Sequence, residues 1–346
     1  MRVPFPADVR DEAQLEDLLA QPSDADVECV RRLDGDVLVI GASGKMGPSL
    51  ARRIHRAIRR AGVRRRVLAA SRFSTPAVRA SLEAEGIHTI ACDLLNTDHV
   101  AALPAAENVL FLAGRKFGTL DRSDLTWATN TVVPARVAEQ FAPSRMVVFS
   151  TGNVYPLVRV EGPGSREADP PSPAGEYAQS CLGRERVIEF VSRERRLRAL
   201  IFRLNYAVDL RYGTLVDIAR KVITGDAVDL TMGFFNAIWQ GDANSYALRS
   251  LELCSSPPEI LNVTGAERIS VRDTAEWFGS TFGRPPVFVN TEGPVALLSD
   301  ASRCRALLGD PDVPLPLLRQ WVARWVAHGG TSLNKPTHFE VTDGRY

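Results

Sequence analysis

The stretch "DVLVIGASGKMG", Asp36 to Gly47, restricts the fold more than any other part of the chain. "DVLVI" is a short apolar run of the kind that forms a strand buried on both faces. It runs straight into Gly41, Gly44 and Gly47, then into "PSLARRIHRAIRRAG", which has helical periodicity with arginines on one face. Pro48 suits the first turn of that helix. Strand, glycine turn and helix in that order give the glycine spacing its meaning. Gly41 allows a tight turn, Gly44 lets backbone approach a pyrophosphate, and Gly47 lets the helix pack close to the strand. Free N–H groups and the dipole at that N-terminus favour an anion. Gly41, Ser43, Gly44, Lys45 and Met46 are therefore the expected turn contacts of a dinucleotide cofactor.

The alternation continues downstream. "RRVLAAS", "IHTIACD", "ENVLFLAG", "RMVVFST" and "LRALIFRLN" read as strands, and "TPAVRASLEAEG" and residues 121–141 and 176–194 as helices. Strands alternating with helices predict βαβ units, hence an α/β fold with a doubly wound parallel sheet of Rossmann type. After Asn205 the pattern loosens into short helices and strands. The expected organisation is an N-terminal extension (1–35), a nucleotide-binding domain (36–205), a smaller α+β substrate-binding part (206–330) and a tail (331–346). Residues 234–263 or so are expected to return to the sheet. The tail, "NKPTHFEVTDGRY", is polar and is expected to be ordered only by packing on a neighbour. The Pro/Gly-rich loop 161–175 is placed to flank a substrate.

The end of the second strand bears on the choice of cofactor. A site for NAD places a carboxylate there, on the ribose 2′-OH. This chain has Ser71 and Arg72 instead, in "VLAASRF". Arg72, helped by Lys45, suits a 2′-phosphate, which favours NADP, with NAD the alternative.

Composition excludes several functions. With 42 Lys and Arg against 41 Asp and Glu, net charge is +1, so no global field favours nucleic acid or a membrane surface. No apolar run approaches the ~20 residues of a membrane span, and the acidic start resembles no signal peptide. Five scattered cysteines and five scattered histidines offer neither a disulfide framework nor a metal site, which fits a reducing cytoplasm. Lysine occurs only at Lys45, Lys116, Lys221 and Lys335, so lysine chemistry has four possible sources.

The glycine spacing, "CDLLN", "LFLAG", Asn130, "VVFSTGNVY" and "YAQSC" together resemble the extended short-chain dehydrogenase/reductase family, the NAD(P)-dependent epimerase/dehydratase group. The resemblance is strong over the first two hundred residues and diffuse afterwards. It implies an oxidoreductase or epimerase acting on a sugar, a sugar nucleotide or a related hydroxyl or keto compound. It makes Tyr177 the acid/base and Thr151 the residue that orients substrate. It adds Asp93, Leu94, Ala113, Gly114, Asn130, Ser150 and Asn205 to the cofactor contacts, and places Asp242 in the returning segment. It implies a homodimer formed through the helices that carry Asn130 and Tyr177. No metal is implied.

One position departs from the family pattern. Four residues after the tyrosine the family has lysine, and this chain has Cys181. Positions i and i+4 share a helix face, so Cys181 points where that lysine would. The lysine's charge lowers the tyrosine pKa, and a phenol near ~10 is a weak base at neutral pH. Lys116 in "AGRKFG", after the fourth strand, is the first candidate to restore the charge, with Arg115 or Arg184 as fixed cations. Three readings stand: an active oxidoreductase or epimerase; an NADP(H)-binding regulatory module without catalysis; and a non-redox enzyme using Cys181 as a nucleophile. Arg159, Arg166, Arg203, Arg211 and Arg249 are available for a substrate anion. Trp239 and Gln240 are read as core more readily than as substrate contacts.

Overall fold

The computed structural model describes residues 5–116, 121–335, 337–342 and 344. Its centre is a parallel sheet of seven strands: β1 (Val37–Ile40), β2 (Val67–Ser71), β3 (His88–Ala91), β4 (Asn108–Phe111), β5 (Arg145–Thr151), β6 (Arg198–Leu204) and β7 (Glu259–Val263). All four residues of β1 are buried, as a strand with no solvent face requires. The spatial order is β7-β6-β5-β4-β1-β2-β3. In register, Ile40 stands between Ala70 and Phe111. The order reverses between β1 and β4, and a doubly wound sheet opens a crevice there, beyond the carboxyl ends of its strands. The fold is the expected Rossmann-type α/β arrangement. β7 comes from far along the chain and returns to pair with β6.

Apolar residues of the two sheet faces form separate cores. Leu50, Ile54 and Ile58 of the helix Gly47–Ala61 pack on one face, and Val133, Val137 and Ile188 on the other. A third core lies in the C-terminal part around Trp239, Phe278, Trp321 and Phe235. Among the described residues no helix is long and apolar enough to cross a membrane.

Both ends of the chain pack on its body, and the tail differs from expectation. In the N-terminal extension, helices Glu12–Leu19 and Asp24–Arg32 lie against Gly47–Ala61 and bury Leu15, Leu19, Cys29 and Val30. The acids of this region meet the arginine face of that helix. Arg53 pairs with Asp26 at 2.7 Å, both buried, Arg52 with Glu16 at 3.0 Å and Arg56 with Asp17 at 2.9 Å. The tail is held by this chain itself. Phe339 is 1% exposed and lies 6.2 Å from the Phe235 ring, and Thr337 is bonded to Asp217. One buried aromatic fixes a segment that its polar composition marks as unanchored.

Candidate functional site

The glycine turn has the geometry that its spacing requires. Gly41 has φ +88, and a Cβ on it would stand 2.8 Å from the backbone nitrogen of Ala113. A Cβ on Gly47 would lie 2.6 Å from Ala42 backbone, so glycine alone lets the helix start this close to the strand. A Cβ on Gly44 would meet one atom among the described residues, the Gly41 carbonyl oxygen at 3.1 Å. Beyond it is open space at the N-terminus of a 15-residue helix, and this fits a pyrophosphate. The Ser43 and Ser71 hydroxyls, 2.5 Å apart, tie the turn to the end of β2.

Arg72 follows β2, is exposed, and forms no ion pair with the described residues. Asp93 and Leu94 lie just past β3, where the Asp93 carboxylate accepts from Leu95 N at 3.1 Å. Lys45 does not join Arg72. Its ammonium crosses toward the C-terminal part, 3.5 Å from the Tyr212 ring centroid and 3.5 Å from the Ala207 carbonyl oxygen. Surrounding protein atoms and the nearby Lys116 charge lower its pKa, while Asp209 and Asp217 oppose the shift. The expectation that Lys45 helps bind a 2′-phosphate is therefore corrected: the aromatic face of Tyr212 holds it elsewhere.

A cleft open to solvent lies beside the turn. Its walls include Lys45, Met46, Gly114, Lys116, Ser150, Thr151, Tyr177, Arg184 and Asn205. Three of the four expected catalytic positions thus meet there. The fourth, Cys181, is 1% exposed and packs behind Tyr177 against Val154 and Tyr155. Burial pushes its thiol pKa up, with Arg184 pulling the other way. A protonated, enclosed thiol is a packing group and a poor nucleophile.

Tyr177, Cys181 and Arg184 share one face of the helix Gly175–Arg195 at i, i+4 and i+7. Burial drives the Tyr177 phenol well above its ordinary pKa, and Cys181 adds to this. Arg184 and a hydrogen bond with Thr151 pull it down. Thr151 ends β5, and its hydroxyl also donates to Asn153 Oδ1 at 3.0 Å.

Arg184 is 4% exposed. Its guanidinium donates to Phe149 O at 2.6 Å, Asn130 Oδ1 at 2.9 Å and Asn130 O at 3.2 Å. Asn130 sits in a π-helical turn, Ala128–Val132, and is fully buried. It bonds both the N–H and the carbonyl of Arg115, at 2.8 and 2.9 Å, and donates to Ser180 Oγ at 2.9 Å. Arg184 and Asn130 thereby hold the loop after β4, which carries Gly114, Arg115 and Lys116.

Lys116 Nζ lies 5.9 Å from the Tyr177 ring centroid and donates to Thr337 O at 3.4 Å. Burial lowers its pKa to about 8, against the opposing charge of Asp217. The sequence pattern offered no sign of Asp217, Thr337 or Tyr212, which lie far along the chain. Tyr206 adds backbone strain at the cleft, with φ +47.

Several expected contacts are committed elsewhere. The Ser150 hydroxyl donates to Glu185 at 2.5 Å, and Glu185 is paired with buried Arg203 at 2.6 Å. Arg203 also donates to Tyr155 at 2.5 Å. Arg203 is thus unavailable to a substrate anion, as is Arg211, paired with Asp209 and Glu16. Asn205 is buried, its amide 3.5 Å from Leu297 O. Trp239 packs on Trp321 at 5.4 Å and Gln240 is fully buried, both in the core. Among the described residues no group of three or more His, Cys, Asp or Glu side chains is placed to hold a metal.

The NAD dependent epimerase/dehydratase family model matches residues 37–208. No curated protein matches the chain. Among solved structures, Pal from Bacillus thuringiensis superposes with a TM-score of 0.69 at 18% identity, covering 85% of this chain and 99% of its own. UDP-glucuronic acid 4-epimerase from Bacillus cereus, in complex with NAD, gives 0.67 at 17% identity, with 85% and 99% coverage. UDP-glucose 4-epimerase from Thermotoga maritima, with UDP-glucose, gives 0.68 at 16%, again with 85% and 99%. At these identities the likeness is one of fold.

Asp242 lies outside the cleft, where its carboxylate accepts from Val313 N at 3.0 Å. Burial raises its pKa to about 7, despite that bond and the nearby Arg53. The unfolded chain releases this proton near ~3.9. Between those values the folded state holds more protons, so stability falls as pH rises through the window. Urea denaturation at pH 5 and pH 8 is expected to show this loss in the wild type, on the order of a few kcal/mol at most. Asp242→Asn is expected to remove it; an equal loss in the variant contradicts the assignment.

Proposed function

From its membership of the NAD dependent epimerase/dehydratase family, to which it belongs through residues 37–208, we propose that this chain is an enzyme that transfers hydride at a hydroxyl-bearing carbon of a sugar nucleotide. The observation that carries this reading is the meeting of Tyr177, Thr151 and Lys116 on one cleft at the carboxyl ends of the sheet. A bound nicotinamide would supply the hydride acceptor for that carbon. Gly41, Gly44 and the helix N-terminus would hold its pyrophosphate. The Tyr177 oxygen takes the proton of the substrate hydroxyl as that carbon is oxidised. Thr151, bonded to the phenol, orients the reacting oxygen.

A phenol raised this far needs a nearby cation to ionise. Lys116 supplies a charge from the loop after β4, and Arg184 a fixed one from the helix. Sugar nucleotides are the favoured substrates because two of the structural neighbours are UDP-sugar 4-epimerases. Arg72, exposed and without an ion pair among the described residues, supports NADP as the cofactor, and the NAD held by several structural neighbours supports the alternative. A binding-only role is favoured by one observation, the raised Tyr177 phenol with a cysteine in place of the lysine. The homodimer reading is supported by Phe190, Trp127 and Val132, exposed on the helices that carry Tyr177 and Asn130.

UDP-sugars incubated with the protein and either NAD or NADP are expected to yield a new epimer by NMR or a change at 340 nm. Tyr177→Phe is expected to lower turnover about 100-fold or more without weakening cofactor binding. Unchanged turnover in Tyr177→Phe contradicts the mechanism, and cofactor binding with no turnover of any sugar supports the binding-only role. Arg72→Glu is expected to weaken NADP about tenfold and leave NAD unaffected; equal effects on both refute the NADP assignment. Light scattering is expected to give twice the chain mass, and Phe190→Glu half of that; a wild-type monomer contradicts the dimer.

A further inference from the structure

Lysine has a flexible stem, and its ammonium is fixed only by the acceptors around it. Lys116 finds one in the tail: the Thr337 carbonyl at 3.4 Å. Thr337 is itself held. A single oxygen of Asp217, Oδ2, accepts from the Thr337 backbone N–H at 2.8 Å and from its hydroxyl at 2.6 Å. Asp217 belongs to the helix Thr214–Thr224, which packs into the C-terminal core through Leu215, Ile218 and Val222. Two residues beyond Thr337, buried Phe339 pins the segment a second time. A continuous line of contacts thus runs from a rigid helix through the tail to the cleft, and ends beside the Tyr177 ring.

We propose that Asp217, acting through Thr337, is a positioning residue that sets the Lys116 ammonium against Tyr177 and keeps it charged. This rests on the reading of Lys116 as the cation that replaces the family's lysine. The carboxylate acts in two ways. It orients the carbonyl that binds the ammonium, and its charge supports that of Lys116 against burial. Among the described residues, Tyr177 and Cys181 on the tyrosine helix also face Lys116, and burial holds both protonated. Lys45 on the glycine turn, its pKa lowered to about 7 by burial, and Arg184 on the same cleft offer no negative charge. Burial raises the Asp217 pKa and the Glu340 charge adds to this, while the bonds from Thr337 and the Lys221 charge hold it down. The tail is therefore part of the reaction centre, through one peptide carbonyl.

Four lysines in the whole chain make this measurable without a substrate. Competitive acetylation across a pH series, read by peptide mass spectrometry, gives the midpoint at which the Lys116 amine becomes reactive. In the wild type it is expected near 8, below an added N-acetyl-lysine amide standard at ~10.4. Asp217→Asn keeps an acceptor oxygen and removes the charge, so the midpoint is expected to fall by about half a unit or more. Asp217→Ala also frees Thr337 and lets water reach the ammonium, so the midpoint is expected to climb toward that of the standard. Two variants moving in opposite directions is a result that general loosening of the fold does not produce. Wild-type midpoints in both variants, or shifts in the same direction, overturn the proposal. Circular dichroism checks the folding of each. If Asp217→Ala does not fold, Thr337→Val replaces it with the same upward expectation and the same overturning result. Since no turnover is read, a failed sugar assay and a failed clamp remain separate findings.

Discussion

A guanidinium buried without a carboxylate is costly unless its N–H groups find oxygens, and Arg184 meets that condition with three. Those oxygens belong to Asn130 and Phe149, so one side chain joins the tyrosine helix, the π-helical turn and the fifth strand. Asn130 passes the constraint on, bonding the loop after β4 at both the N–H and the carbonyl of Arg115. The loop lies so close to the guanidinium that a Cβ on Gly114 would stand 2.8 Å from Arg184 Nη2. Lys116 reaches Tyr177 from the end of that loop. The positions of glycine, lysine and tyrosine are thus consequences of where one arginine finds its acceptors.

This arrangement changes the meaning of Cys181. In isolation it marks a lost charge. In the fold it is a small buried group at the centre of a helix face whose other members, Tyr177 and Arg184, flank it. A cation is still present one turn further on, and a second arrives from another loop. A lysine at 181 would bring a third positive charge close to Arg184 and Lys116, in surroundings that already depress lysine ionisation. The cysteine is consistent with a site whose charges come from elsewhere.

The parts visible in the sequence were those with local causes. Gly41 and Gly47 could be assigned because a strand and a helix flank them, and their roles depend on backbone a few residues away. Tyr177, Thr151 and Asn130 followed from family spacing. Lys116 followed from the scarcity of lysine. What could not be seen depends on distant pairing. The acids of the first thirty residues complement arginines of the helix Gly47–Ala61, yet neither segment alone announces the other. Thr337 and Asp217 are separated by more than a hundred residues, and Phe339 sits within a polar stretch of the tail. Lys45 looked like a phosphate ligand because it lies in a glycine turn. Tyr212, which it faces instead, is remote in sequence.

In the proposed mechanism Lys116 provides the charge that lets Tyr177 act as a base. The most direct measurement is the pH dependence of the hydride-transfer step for wild type and Lys116→Met, followed at 340 nm in single turnovers. The rate of Lys116→Met is expected to rise only at higher pH, with its midpoint displaced upward by about one unit or more, and cofactor affinity is expected to be retained. An unchanged rate and midpoint in Lys116→Met would contradict that mechanism.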